Sequence, residues 1–129
     1  MTTLRNAHFE LSTDETNHVV TLVRSDEPFR SIREMVAVLD EIFHAVSNID
    51  GKAYGLVVDN RKLPVRNDPS FQQAFRSFRT RLDERFARVG VVLASEPSIE
   101  QLEQSGRSPN VRAYTDVDAA LRWAAEGRE

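Results

Sequence analysis

The sequence predicts one α/β domain built on a mixed, mostly parallel sheet, with elements in the order ββαβαβαβα. Three observations carry this. Short valine-rich runs alternate with longer segments whose apolar residues recur every three or four positions, the pattern of βαβ units. The first two strand-like runs instead follow each other across a short polar turn, so the sheet opens with an antiparallel hairpin. The chain has 129 residues, the size of a single domain, and residues 1–129 are read as one unit.

The hairpin comes first. His8-Phe9-Glu10-Leu11 alternates polar and apolar, residues 13–17 supply a polar turn, and His18-Val19-Val20-Thr21-Leu22-Val23 is rich in β-branched residues. A helix follows, opened by Ser31 and Glu34 at capping-box spacing. Ile32, Met35, Val36, Leu39, Ile42, Phe43 and Val46 form its apolar stripe, and residues 48–51 end it. Tyr54-Gly55-Leu56-Val57-Val58-Asp59 is nearly all apolar, as a strand covered on both faces must be. Residues 60–68 form a polar connection.

Asp68 and Pro69 then open a second helix as N-cap and first-turn proline. Its stripe is Phe71, Phe75, Phe78, Leu82 and Phe86, whose spacing on one face is that of core packing, not of a ligand box. Gly90 to Ala94 reads as another buried strand, Pro97 to Gln104 as a weaker helix, and Val111 to Tyr114 as a last strand. Asp116 caps a final helix with Val117, Ala120, Leu121 and Ala124 inward. Trp123 lies off that stripe and is a candidate interface anchor.

Composition narrows the function. With 40% hydrophobic residues the chain can bury a core and is not a disordered one. The absence of cysteine excludes disulfides, thiolate catalysis and Cys-based metal sites. Apolar runs such as Leu56–Val58 are far too short to span a bilayer. Residues 1–8 have no apolar signal-peptide core. The expectation is therefore a cytoplasmic protein without membrane insertion.

The net charge of −3 conceals a polarised chain: residues 60–88 carry +5, residues 1–59 carry −5 and residues 89–129 carry −3. On a helical wheel Arg76 and Arg79 flank one side of the phenylalanine stripe, and Arg81, Arg85 and Arg88 the other. A single phosphate-tracking stripe is thus absent, and nucleic acid is not an expected partner.

Other candidates are few. His8 and His18 fall on the two hairpin strands with Glu10 near His18; without metal-ligand spacing they read as a surface cross-strand pair. Asp59 and Ser95 lie at or just past the carboxyl ends of buried strands, where open α/β sheets bind ligands. No nucleophile–base pair and no glycine-rich phosphate loop accompanies them, so neither an enzyme nor a cofactor is expected.

The order of elements, with Tyr54 to Asp59, Arg66-Asn67-Asp68-Pro69-Ser70-Phe71, Arg88 to Leu93 and Ala113 to Trp123, resembles the STAS family, and more narrowly its stand-alone bacterial SpoIIAA-like members. The resemblance spans essentially the whole chain. It implies a non-catalytic interaction module in a bacterial signalling system, with a regulated Ser or Thr at the start of the helix after a strand ending in Asp. Here Asp59 ends the strand and Ser70 lies in the first turn of the helix, but Asp68-Pro69-Ser70-Phe71 stands where the family has Asp-Ser-Ser/Thr-Gly. The expected site is the loop and helix start 60–70: Arg61, Lys62, Arg66 and Asn67 would dock an acidic protein partner, with Ser70 as a phosphosite. The alternative is a small-ligand domain, for a lipid or anionic metabolite, using the sheet edge near Asp59 and Ser95. A homodimer through the hairpin's exposed edge is a further expectation.

Overall fold

The computed structural model describes residues 2–64, 68–104 and 109–126. Its elements are β1 (Thr2–Arg5), β2 (Phe9–Asp14), β3 (Val19–Arg24), α1 (Ile32–Val46), β4 (Gly55–Asp59), α2 (Pro69–Arg85), β5 (Val89–Val92), α3 (Glu96–Gln104), β6 (Val111–Tyr114) and α4 (Val117–Glu126). The six strands stand in chain order across one sheet. β1, β2 and β3 pair antiparallel; β3 to β6 pair parallel. The predicted mixed, mostly parallel α/β architecture is therefore observed, with one strand more than the sequence announced.

That extra strand is β1. It carries one apolar residue in four, Leu4, and so shows no alternation. It forms because Leu4 lies opposite Leu11 and packs on the core that β2 already faces. The outer edge of the hairpin is consequently occupied, and the sheet instead ends on β1, a short strand with an irregular register between Thr2 and Leu4. Arg5 of this strand is ion-paired with Glu10 at 2.9 Å. Short, bulged and charged edges resist pairing with another chain.

Strand order and connection handedness together set the layers. The crossovers β3-α1-β4, β4-α2-β5 and β5-α3-β6 all advance the same way, and right-handed crossovers then place their helices on one face. The core agrees. Val20 and Leu22 of β3, Leu56 of β4, and Val89 and Val91 of β5 pack with Met35, Leu39 and Ile42 of α1 and with Phe71, Phe78 and Leu82 of α2. α4 takes the other face, where Val19, Val57 and Val92 meet Ala120 and Ala124.

Local signals explain the helix positions. Ser31 Oγ caps α1 by accepting from Glu34 N at 3.1 Å, while Glu34 Oε1 accepts from Arg30 N at 3.0 Å, one residue ahead of the expected capping-box partner. Asp68 Oδ1 accepts from Ser70 N at 3.0 Å and Pro69 opens α2. Phe86 lies just past α2 as its C-cap and is still buried. α4 sits close to the sheet because Gly55 lacks a side chain: a Cβ there would lie 2.9 Å from Ala124 Cβ and collide with the Ala124 carbonyl.

The histidines do not form the expected surface pair. Glu10 lies opposite Val23. His8 precedes β2, is 8% exposed and stacks on Phe29 with ring centroids 4.4 Å apart. His18 ends the hairpin loop with φ 56° and rests against Tyr54. Among the described residues no helix is long and apolar enough to cross a membrane, and no His/Asp/Glu group is placed to hold a metal.

Candidate functional site

The basic segment divides in two. On one flank of α2, Arg85 donates from Nε to Val46 O (3.1 Å) and from Nη2 to Ser47 O (2.7 Å) and Ile49 O (2.6 Å). These are carbonyls at and just past the C-terminus of α1, groups a helix leaves without partners. Arg81 lies 3.9 Å over the Phe43 ring and 3.8 Å from Asp40. Arg88 donates to Trp123 O at 3.0 Å and, with Arg112, stacks on the half-buried Trp123 ring. That flank fastens helices together, and Trp123 serves as the platform for two arginines.

The other flank faces a cleft. Arg76 and Arg79 line an opening of about 900 Å³ between α2, α3 and the carboxyl ends of β3, β4 and β5. Its apolar walls include Phe29, Phe71, Phe75, Leu63, Leu93 and Leu102, and its polar groups include Asn60, Ser98 and Gln101. Arg24 and Arg61 complete the cationic set, and no carboxylate is among the described lining residues.

Arg24 is the most constrained of these cations. β3 places Val20, Leu22 and Arg24 on the same side, because alternate residues of a strand share a face. The guanidinium is thereby carried into the core at 2% exposure. It is held by carbonyls: Nη1 donates to His8 O (3.2 Å) and Ser25 O (2.8 Å), and Nη2 to Glu27 O (2.8 Å). It also lies over the rings of Phe29 and Phe9. Nε is buried without a hydrogen-bond partner, and no carboxylate of the described residues stands within ion-pair distance. Burial lowers its pKa, against the opposing fields of Asp26 and Glu27. A buried cation without a counter-ion is costly and projects positive potential into the space beside it.

Arg61 is different. Asp59, at the end of β4, accepts from Arg61 Nε at 2.9 Å and from Nη2 at 2.7 Å. Burial works to raise the Asp59 pKa, but the bonds from Arg61 and the charges of Arg61 and Lys62 outweigh it and hold the carboxyl below its ordinary value. Asp59 thus neutralises one of the predicted docking cations and is not itself a cleft residue. Lys62 is exposed; Arg66 and Asn67 lie outside the described residues. Ser70 is exposed in the first turn of α2. Ser95 shares a hydrogen bond of 3.1 Å with Ser98, and Ser98, not Ser95, lines the cleft.

Behind the cleft, α2 covers a void of about 20 Å³ lined by Val58, Asn60, Phe75, Phe78, Arg79, Leu82, Asp83, Val89 and Val91. Asn60 and Arg79 border both spaces. Asn60 Oδ1 and Asp83 Oδ1 are buried there without hydrogen-bond partners. Burial pushes the Asp83 carboxyl up to about 6, against the opposing pull of Arg79.

No protein-family model and no curated protein matches this sequence. Among solved structures, an uncharacterised protein of the DUF3478 family from Shewanella loihica PV-4, described as having a SpoIIAA-like fold, superposes with a TM-score of 0.65 over 94% of this chain and 98% of its own, at 10% identity. The chain has a SpoIIAA-like fold. An identity this low establishes the fold and no activity.

Within the SpoIIAA-like fold of this chain, the sequence reading missed Arg24, Asn60 and Asp83 as cleft or cleft-backing residues. Arg24 had a legible signal: it continues the inward alternation Val20, Leu22 at a position where another aliphatic would be expected. Asp83 follows Gln72, Arg76 and Arg79 at helical spacing, which places it on the edge of the buried stripe. Asn60 had none, since its burial depends on how α2 lies over β4.

Proposed function

We propose that the domain binds a small anionic amphiphile: a carboxylate, sulfonate or phosphate head carried on an apolar body. The observation that carries this is a cleft in which Arg24, Arg76 and Arg79 form no ion pair with a carboxylate among the described residues, set beside the walls of Phe71, Phe75, Leu63 and Leu93. Aromatic and aliphatic walls with a few convergent polar groups are the ordinary make-up of a small-molecule site, and the carboxyl edge of a parallel sheet is its ordinary place. The role is binding, not catalysis. Docking of an acidic protein through the 60–70 loop has less support, because Asp59 already neutralises Arg61.

Thermal unfolding with three probes tests this. Decane-1-sulfonate should raise the Tm, while decan-1-ol and inorganic sulfate at equal concentration should do so far less, since each supplies half of the recognition. An equal response to decan-1-ol would remove the arginines from the account.

A further inference from the structure

The side of α2 that faces the cleft continues inward. Gln72, Arg76 and Arg79 line the opening, and Asp83, one turn beyond Arg79, lies in the void behind it. Arg79 therefore stands between two places for negative charge: the cleft in front and the Asp83 carboxylate behind. We propose that anion capture in the cleft is proton-coupled through Asp83, which competes with the ligand head group for the field of Arg79. This rests on the ligand reading above and names how that site is regulated.

Asp83 is 6% exposed. From β4 and β5 the void receives Val58, Asn60, Val89 and Val91, none of them ionisable. Asn110, ahead of β6, donates to the backbone carbonyls of Asp83 and Phe86 at 2.7 and 2.8 Å, not to the carboxyl group. Among the described residues the charges that act on Asp83 are Arg79 and Glu84, with opposite effects. A void of this size holds about one water molecule, too little to hydrate a carboxylate.

The coupling follows from charge. Ionised Asp83 offsets part of the positive potential that Arg79 presents to the cleft. Protonation removes that offset and strengthens the attraction for an incoming anion. By reciprocity, an anion beside Arg79 favours the protonated acid, so binding draws a proton onto Asp83. The affected range lies around the raised Asp83 titration near pH 6.

Decane-1-sulfonate suits the test because its own charge does not change in this range. Calorimetric titration of the wild-type protein should give an affinity about fivefold tighter at about pH 5 than at about pH 7.5. Asp83→Asn should bind equally at both values, near the tighter wild-type affinity, and Arg79→Gln should bind weakly with no pH response. In buffers of different ionisation enthalpy the wild-type protein should take up a fraction of a proton near pH 6 on binding, a readout that needs no variant. The same pH ratio in Asp83→Asn would overturn the proposal and assign the response to another group. Binding without pH dependence or proton uptake would overturn it while leaving the ligand reading intact. No binding at either pH would overturn both.

Discussion

Asp59 grips Arg61 with both carboxylate oxygens, Oδ1 to Nε at 2.9 Å and Oδ2 to Nη2 at 2.7 Å. Oδ1 also accepts the Arg61 backbone N–H at 3.2 Å. The pair fixes the turn by which the chain leaves β4 beside the cleft. It also removes one cation from the anion-attracting set, leaving Arg24, Arg76 and Arg79.

Replacing Asp59 by Asn should weaken this turn. Charge-assisted hydrogen bonds contribute roughly 1.5–3 kcal/mol each, but Arg61 is half-exposed and solvent screens the pair, so the expected loss is about 1 kcal/mol at neutral pH. The folded-state pKa is depressed. The contribution is thus present above the unfolded carboxyl value near 4 and is lost as pH falls below it. Urea unfolding at neutral and acid pH checks both statements.

Asp83 has the opposite sign. Its folded pKa of about 6 lies above the ordinary aspartate value of 3.8, so between the two the folded state holds the extra proton. Stability should fall as pH rises from about 4 to above 6, by at most about 3 kcal/mol. Asp83→Asn should flatten that slope, read as urea midpoints across the range.

The two flanks of α2 predict a contrast. Arg85→Ala strips the C-terminal carbonyls of α1 of three donors and should cost about 2 kcal/mol. Arg76→Ala touches no such group and should stay within about 0.5 kcal/mol, while weakening anion binding. Thermal unfolding of both variants, with and without decane-1-sulfonate, separates the structural cation from the binding one.

Gly55→Ala should cost about 1–3 kcal/mol through overpacking, because the new Cβ meets Ala124. The loss should appear as a lowered Tm with increased hydrogen exchange along α4.

Much of this arrangement was legible in the residues. The valine runs of β4 and β5 and the capped stripes of α1 and α2 are local patterns, and local patterns survive without tertiary information. The wheel position of Arg76 and Arg79, apart from Arg81 and Arg85, already separated the two flanks. What it did not show was which flank would find partners, because the carbonyls of Val46, Ser47 and Ile49 come from another helix. β1 was illegible for a related reason: Leu4 becomes a strand residue only against Leu11. Ser95 lay one turn from the true lining residue, Ser98, because the start of α3 turns its first hydroxyl aside into a hydrogen bond with the second.

The central claim is that an anionic amphiphile enters the cleft between α2, α3 and the strand ends. A ¹H–¹⁵N NMR titration with decane-1-sulfonate tests it most directly. The account predicts saturable shifts confined to cleft backbone amides, those of Phe71, Phe75, Arg79, Leu93 and Gln101 among them, with α4 unaffected. Shifts gathered instead around Trp123, Arg88 and Arg112, or none that saturate, would contradict it.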